Sequence, residues 1–379
     1  MLELGGTEQS IILSEYASGI LETDVLDPND ISPVLQGLYG EVGGIMATAK
    51  KHAREKNAYP GHKRAAEEEF GDTLWYFASL CRRLNLPVDI IFDEAVEGGD
   101  FKKVSVASDL SIGGLAHISV PPVVGSMDDT LMRLGQVAAA LLEPPQNRGK
   151  MIAFAKCYLD ALHSAELSFA TVARSNLKKA RGAFIIPVPS ELPTFDAEFP
   201  KEERLPEKFR IRISQRKSGK SYLQLNDVFI GDPLTDNFKD PDGYRFHDVF
   251  HLANATVLHW SPVIRALIKH KRKSKREYDE IQDSGRAIVV EEGLTAWIFM
   301  RAKELNYFEG QDRVSFGILK TIEQFVSGYE VEECPLKLWE SSILQGFEAF
   351  RKLRDAEGGW IIGDRATRTI KFEPLEESE

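Results

Sequence analysis

Apolar side chains recur every three to four residues in two stretches near the N-terminus. The first runs through Leu35, Leu38, Val42, Ile45 and Met46, the second through Leu74, Phe77, Leu80, Cys81 and Leu84. That spacing predicts helices, and Pro60–Gly61 between them predicts a loop. Residues 1–97 therefore read as a helical segment. From Gly98 to Ser126, Gly113–Gly114 and Pro121–Pro122 mark a linker with short strand pieces. Helical periodicity returns from about Asp128 to Arg181 and breaks at Pro144–Pro145. Five prolines then fall between Pro187 and Pro206, too many for a helix or a central strand, and they mark a domain boundary. Beyond it, Phe209–Ser214 and Tyr222–Phe229 alternate apolar and polar around RKSGK, the pattern of a hairpin. The helical period resumes from about Tyr244 to Asp355, and the acidic tail PLEESE is expected to fray. The fold class read from these patterns is mainly α. An all-α N-terminal bundle precedes a C-terminal α+β domain with a β-hairpin and a helical bundle, divided as 1–97, 98–185 and 186–379.

The N-terminal half carries an internal repeat. Gly40–Glu41–Val42 aligns with Gly135–Gln136–Val137, and Tyr76 to Leu80 aligns with Tyr158 to Leu162. Helix order and turn positions agree between the copies. The second copy is the degenerate one: Gln136, Met151 and Phe154 stand where the first has Glu41, Glu69 and Asp72.

Composition narrows the function classes. Hydrophobic residues make up 43% and charged residues 28% of the 379, which excludes wholesale disorder. No apolar run approaches the ~20 residues of a membrane span, so no membrane partner is expected. The N-terminus lacks a basic segment followed by an apolar one, so no signal peptide is expected. Three widely spaced cysteines fit a reducing cytoplasm better than a disulfide framework. The net charge of −11 argues against bulk binding to nucleic acid. The run KHKRKSKR (269–276) reads as a solvated turn, offset at once by Glu277, Asp279 and Glu280.

The candidate chemistry begins with Glu41, Glu69 and Asp72. Glu69 and Asp72 are three apart and share one helix face, directly before an apolar stripe. Carboxylates projecting from neighbouring helices into a bundle repel one another unless they share a divalent cation. Hard oxygen ligands suit magnesium, with manganese as a second choice.

GLYGEVGGIMATAKK followed by EEEFGDTLWYFASLCRRLNL resembles the MazG-type all-α nucleoside triphosphate pyrophosphohydrolases. Their signature is E-x-x-E on one helix and E-x-x-D on the next. The second half is met by Glu69-Phe-Gly-Asp72, and the first only by Glu41, because Gly44 replaces the second glutamate. Water, Glu67 or Glu68 would have to fill that place. The family's last helix carries an asparagine and, three residues on, a lysine. The first copy has Ala95 there, and the second keeps Asn176 and Lys179, followed by Arg181. The resemblance implies one composite site. Glu41, Glu69 and Asp72 would bind magnesium, and Lys50, Asn176, Lys179 and Arg181 would bind the substrate. The implied activity is hydrolysis of a nucleoside triphosphate to monophosphate and pyrophosphate, in a homo-oligomer or within the duplicated chain. A nucleotide sensor without turnover is the alternative that Gly44 favours. The chain also resembles MazG-type proteins that carry an additional C-terminal domain.

In that half, His247 and His251 lie four apart on a helix, Asn254 continues their face, and Glu291 and Glu292 interrupt a later apolar helix. Such a set can bind a transition metal or work as an acid–base pair. A second location for the chemistry is therefore His247, His251 and Glu291.

Overall fold

The computed structural model describes residues 13–96 and 126–375. The chain divides into two compact units, 1–185 and 186–379, at the proline-rich boundary. The linker read over Gly98–Gly125 lies outside the described residues.

The described part of the first unit is helical: α1 Leu13–Leu21, α2 Ser32–Glu55, α3 His62–Arg83, α4 Val88–Ala95, α5 Met127–Leu142, α6 Arg148–Ser164 and α7 Phe169–Phe184. Their starts follow local chemistry. Pro33 opens α2, where a missing N–H is harmless. Ser126 and Asp129 close a reciprocal capping box on α5, and Asn147 and Ser168 cap α6 and α7. The two repeats are α2–α3–α4 and α5–α6–α7. They do not form separate bodies, because one hydrophobic cluster runs continuously from Leu13 to Ala173. Helix α2 packs on α5, α3 on α7, and α4 on α6. The second helix of each copy thus packs on the third helix of the other, an exchange with the symmetry of a two-fold pair. Arg83, buried on α3, anchors the loop after α1 through Asp24 at 2.6 Å.

The second unit holds a five-stranded antiparallel sheet in the order β3-β2-β1-β4-β5. The strands are β1 Lys208–Gln215, β2 Ser221–Leu225, β3 Val228–Leu234, β4 Gly358–Asp364 and β5 Thr369–Glu373. The expected hairpin is β1–β2, with Ile213 opposite Leu223. The chain turns again at Asn226–Asp227, both with positive φ, so Phe229 belongs to a third strand. The pairing of β1 with β4 was missed by the sequence reading, since its partners lie about 150 residues apart. Alternation in GGWIIGD and TIKFE was the available signal. The helices are α8 Asp248–Ala253, running on as a π-turn Asn254–Leu258, then α9 Pro262–Leu267, α10 Gly285–Glu304, α11 Phe316–Phe325 and α12 Leu336–Asp355. Helix α12 packs on α8 and against β4 and β5.

The basic run 269–276 is not wholly a solvated turn. Arg272 within it is fully buried, with Asp283 at 2.7 Å and Glu330 at 2.6 Å. Arg265 and Arg365 grip Asp196, from the proline-rich segment, at 2.7 and 2.8 Å. These buried charges are tolerated because each is paired and hydrogen-bonded. Asp283→Asn leaves Arg272 partly uncompensated. It is expected to lower the unfolding free energy of the second unit by roughly 3–5 kcal/mol in urea, against less than about 1 kcal/mol for Lys275→Ala on the exposed side of the same run.

Candidate functional site

In the first unit the helix pairing brings residues from both repeats to one place. Lys179, on α7, lies 2.6 Å from Asp72 and 2.7 Å from Glu68, both on α3. Asn176, one turn earlier on α7, donates through Nδ2 to Asp72 Oδ1 at 2.9 Å. Its Oδ1 accepts from the buried Tyr16 hydroxyl of α1 at 2.7 Å. A hydroxyl donating to Oδ1 fixes which way the amide faces, so Nδ2 must turn towards Asp72. Close approach of α7 to α3 depends on Gly71, where a Cβ would stand 2.8 Å from that of Asn176. The Glu69-Phe-Gly-Asp72 tetrad therefore supplies both the carboxylates and the room for their partner helix.

Glu41, on α2, faces Glu69. Burial, followed by the like charges of Asp72 and Glu69, pushes its carboxyl up to about 7, and Lys179 only partly offsets this. The Glu69 side chain, close enough to accept a hydrogen bond from a protonated Glu41, adds to that upward shift. Lys179 keeps its charge: burial opposes it, but Asp72 and Glu68 together raise its pKa above the ordinary lysine value. Gly44 lies under the Glu69 carboxylate, and a Cβ there would stand 2.0 Å from Oε2. The space that a second glutamate on α2 would use is therefore taken by Glu69.

Not every expected residue joins this cluster. Arg181 pairs with Glu22 at 3.2 Å instead of the carboxylates. Lys50 is exposed, nine residues and about 13 Å along the axis of α2 from Glu41. Glu68 is drawn to the same Lys179 ammonium as Asp72, at 2.7 Å. Tyr16 was not singled out from the sequence, because a lone tyrosine on an apolar helix face carries no signal of its target. The equivalent cluster in the second copy is absent: Met151 and Phe154 are fully buried, Phe154 stacks on Phe77 at 4.8 Å, and Gln136 is exposed.

The second unit assembles the other expected set. His247 stands at the N-cap position of α8, and His251 follows one turn later. Glu291 and Glu292 come from α10. His251 Nδ1 is 3.0 Å from Glu291 Oε1, and its Nε2 is 3.3 Å from Glu292 Oε2. His247 Nε2 is 3.6 Å from the same Glu292 oxygen. Glu291 is fully buried and accepts from Ser261 Oγ and the Val263 N–H at 3.0 Å each, and from Asn254 Nδ2 at 3.2 Å. Burial works against a charged His251, but Glu291 and Glu292 outweigh it and raise its pKa to about 10. Glu292 is held well below the usual carboxylate range by the two histidines, against the effect of its burial. Asp248 stands beside them with its pKa raised by burial, and its role was not read from the sequence.

An α-helical unit with converging carboxylates is thus joined to an α+β unit with a buried histidine–carboxylate cluster. Residues 190–376 match the family model described as the MazG C-terminal domain. The second unit is similar to that domain over nearly its whole length, which is consistent with a MazG-related protein that carries a C-terminal domain. The match does not extend to the helices bearing Glu41, Glu69 and Asp72. No curated protein and no solved structure matches the chain significantly.

Two outcomes follow from the carboxylate geometry. Gly44→Ala gains helix propensity worth about 0.5–1 kcal/mol but forces the Glu69 carboxylate aside, so thermal melts should show a gain below that figure. In the metal-free protein Glu41 binds its proton more tightly folded than unfolded, so stability falls as pH rises from about 4.5 to about 7. Glu41→Gln should therefore stabilise at pH 8, by on the order of 1–2 kcal/mol given its partial solvent access, and leave pH 4 unchanged.

Proposed function

We propose that the first unit is a magnesium-dependent nucleoside triphosphate pyrophosphohydrolase. The observation that carries this reading is the convergence of Glu41, Glu69 and Asp72 with Asn176 and Lys179 from the other repeat. The upward shift of Glu41, caused by burial and by the like charges of Asp72 and Glu69, is what carboxylates gathered at one place produce. Three oxygen donors of this kind fit a hard divalent cation. Glu41, Glu69 and Asp72 would hold magnesium, or manganese, which when bound supplies positive charge for triphosphate oxygens and makes water more acidic.

The reaction breaks the α–β anhydride: oxygen from water joins the α-phosphorus, and pyrophosphate leaves. Asn176, held by Tyr16, keeps the Asp72 carboxylate oriented. Lys179 is partly exposed and is placed to lend its charge to a phosphate oxygen as well as to Asp72. The duplicated helices let one chain provide both halves of the site.

A nucleotide sensor without turnover is the second reading. It is favoured by Gly44 and by Asp72, whose two oxygens are already engaged by Asn176 and Lys179. Pyrophosphate release from a panel of ribo- and deoxynucleoside triphosphates separates the two. Turnover should require Mg2+ or Mn2+ and fall by roughly 10²–10³-fold in Asp72→Asn and Lys179→Ala. Nucleotide binding with no release from any of them would establish the sensor. Turnover that survives Asn176→Ala and Lys179→Ala would overturn the composite site.

A further inference from the structure

We propose that His247, Asp248, His251 and Glu292 form a second metal centre, taking a divalent first-row transition ion such as Zn2+, Mn2+ or Fe2+. This reading is independent of the pyrophosphohydrolase assignment.

The first support is geometric. Donor atoms of His247, Asp248 and His251 lie within 4.8 Å of one another. Glu292 Oε2 stands 3.6 Å from His247 Nε2 and 3.3 Å from His251 Nε2. Two ligands on one four-coordinate ion, with bonds of about 2.1 Å, are roughly 3.4 Å apart. The two Glu292–histidine distances match that spacing, and the His247–Asp248–His251 set needs a contraction on the order of an ångström to reach it.

The second support is the orientation of the rings. His247 Nδ1 is 2.9 Å from the carbonyl oxygen of Tyr244. A carbonyl only accepts, so Nδ1 carries the hydrogen, and in the neutral ring Nε2 presents a lone pair towards Glu292. The Tyr244 ring stacks on His247 at 4.4 Å and 9°, fixing its plane. His251 Nδ1 faces Glu291, itself fixed by three donors, which leaves Nε2 for the ion. A histidine braced through its far nitrogen by a carbonyl or carboxylate is the usual outer support of a metal ligand. Glu291 is thus a positioning residue.

The third support is burial without satisfaction. His251 is fully buried, and neither ring nitrogen makes a well-directed hydrogen bond, although carboxylate oxygens are near both. Glu292 is 40% exposed and opens the cluster to solvent. Mixed nitrogen and oxygen donors select transition ions over magnesium, which prefers oxygen alone.

The test uses the full chain, with elemental analysis after purification and titration of the stripped protein with Co2+ as a coloured probe. The expected result is one tightly held transition ion, with Co2+ binding lost in His247→Gln and Asp248→Asn proteins that retain wild-type circular dichroism. Glu291→Gln should weaken binding by roughly 10–100-fold. The double variant Glu69→Gln, Asp72→Asn should keep the ion, which distinguishes this centre from the carboxylates of the first unit. Absence of Co2+ binding would overturn the proposal and leave His251 as an imidazolium between two glutamates. So would Co2+ binding that persists in His247→Gln and Asp248→Asn.

Discussion

The first unit depends on how the Asp72 carboxylate is satisfied. It stands at the edge of an apolar core, where an unpaired charge would be strongly unfavourable. Its compensation comes from the other repeat, through the Asn176 amide and the Lys179 ammonium. Their reach requires α7 to lie against α3, and that approach requires Gly71. Tyr16 then fixes the amide from α1. Three helices are thus registered by one carboxylate. Beside these contacts, Glu41 feels the like charges of Asp72 and Glu69, and its carboxyl is pushed up accordingly.

Among the described residues the exchanged helices hold one such cluster. A two-fold pairing creates two equivalent positions. In this chain the second is filled with side chains that pack, with Met151 and Phe154 in the core and Ala95 where Asn176 has its counterpart. Apolar filling removes the desolvation penalty of a second carboxylate set and leaves one site per duplicated unit. The cluster stays polar where it is needed, and the core gains aromatic stacking where it is not.

The second unit solves a similar problem with more charge. Arg265, Arg272 and Arg365 are buried around Asp196 and Asp283, and these pairs tie the proline-rich entry segment, α9 and the end of the sheet together. Glu291 is buried by the same logic, held by a hydroxyl, an amide and a backbone N–H. That fixed carboxylate stands 3.0 Å from His251 Nδ1, at the buried side of the histidine cluster.

Local signals carried much of this. The 3.6-residue period gave the helices, because an apolar stripe must face a core. Five closely spaced prolines marked the boundary, since they cannot donate to a ladder or a helix. The β1–β2 hairpin was legible from alternation around a turn. The carboxylates, the asparagine and the lysine were legible as types at fixed spacings. Which residues meet was decided in three dimensions. Arg272 reads as one cation in a basic run, and only packing shows it buried between Asp283 and Glu330. Arg181 and Lys179 are near neighbours in sequence, yet the helix turns one to Glu22 and the other to Asp72. The strand pairing of β1 with β4, the Tyr16 bond to Asn176 and the place of Glu69 over Gly44 all join distant segments. Sequence by itself determined which segments are helical and which carboxylate, amide and basic side chains recur at helical spacing, because both depend on neighbours within a turn or two. Tertiary structure alone decided which of those residues share charge, because electrostatic pairing depends on separation in space and on exclusion of water.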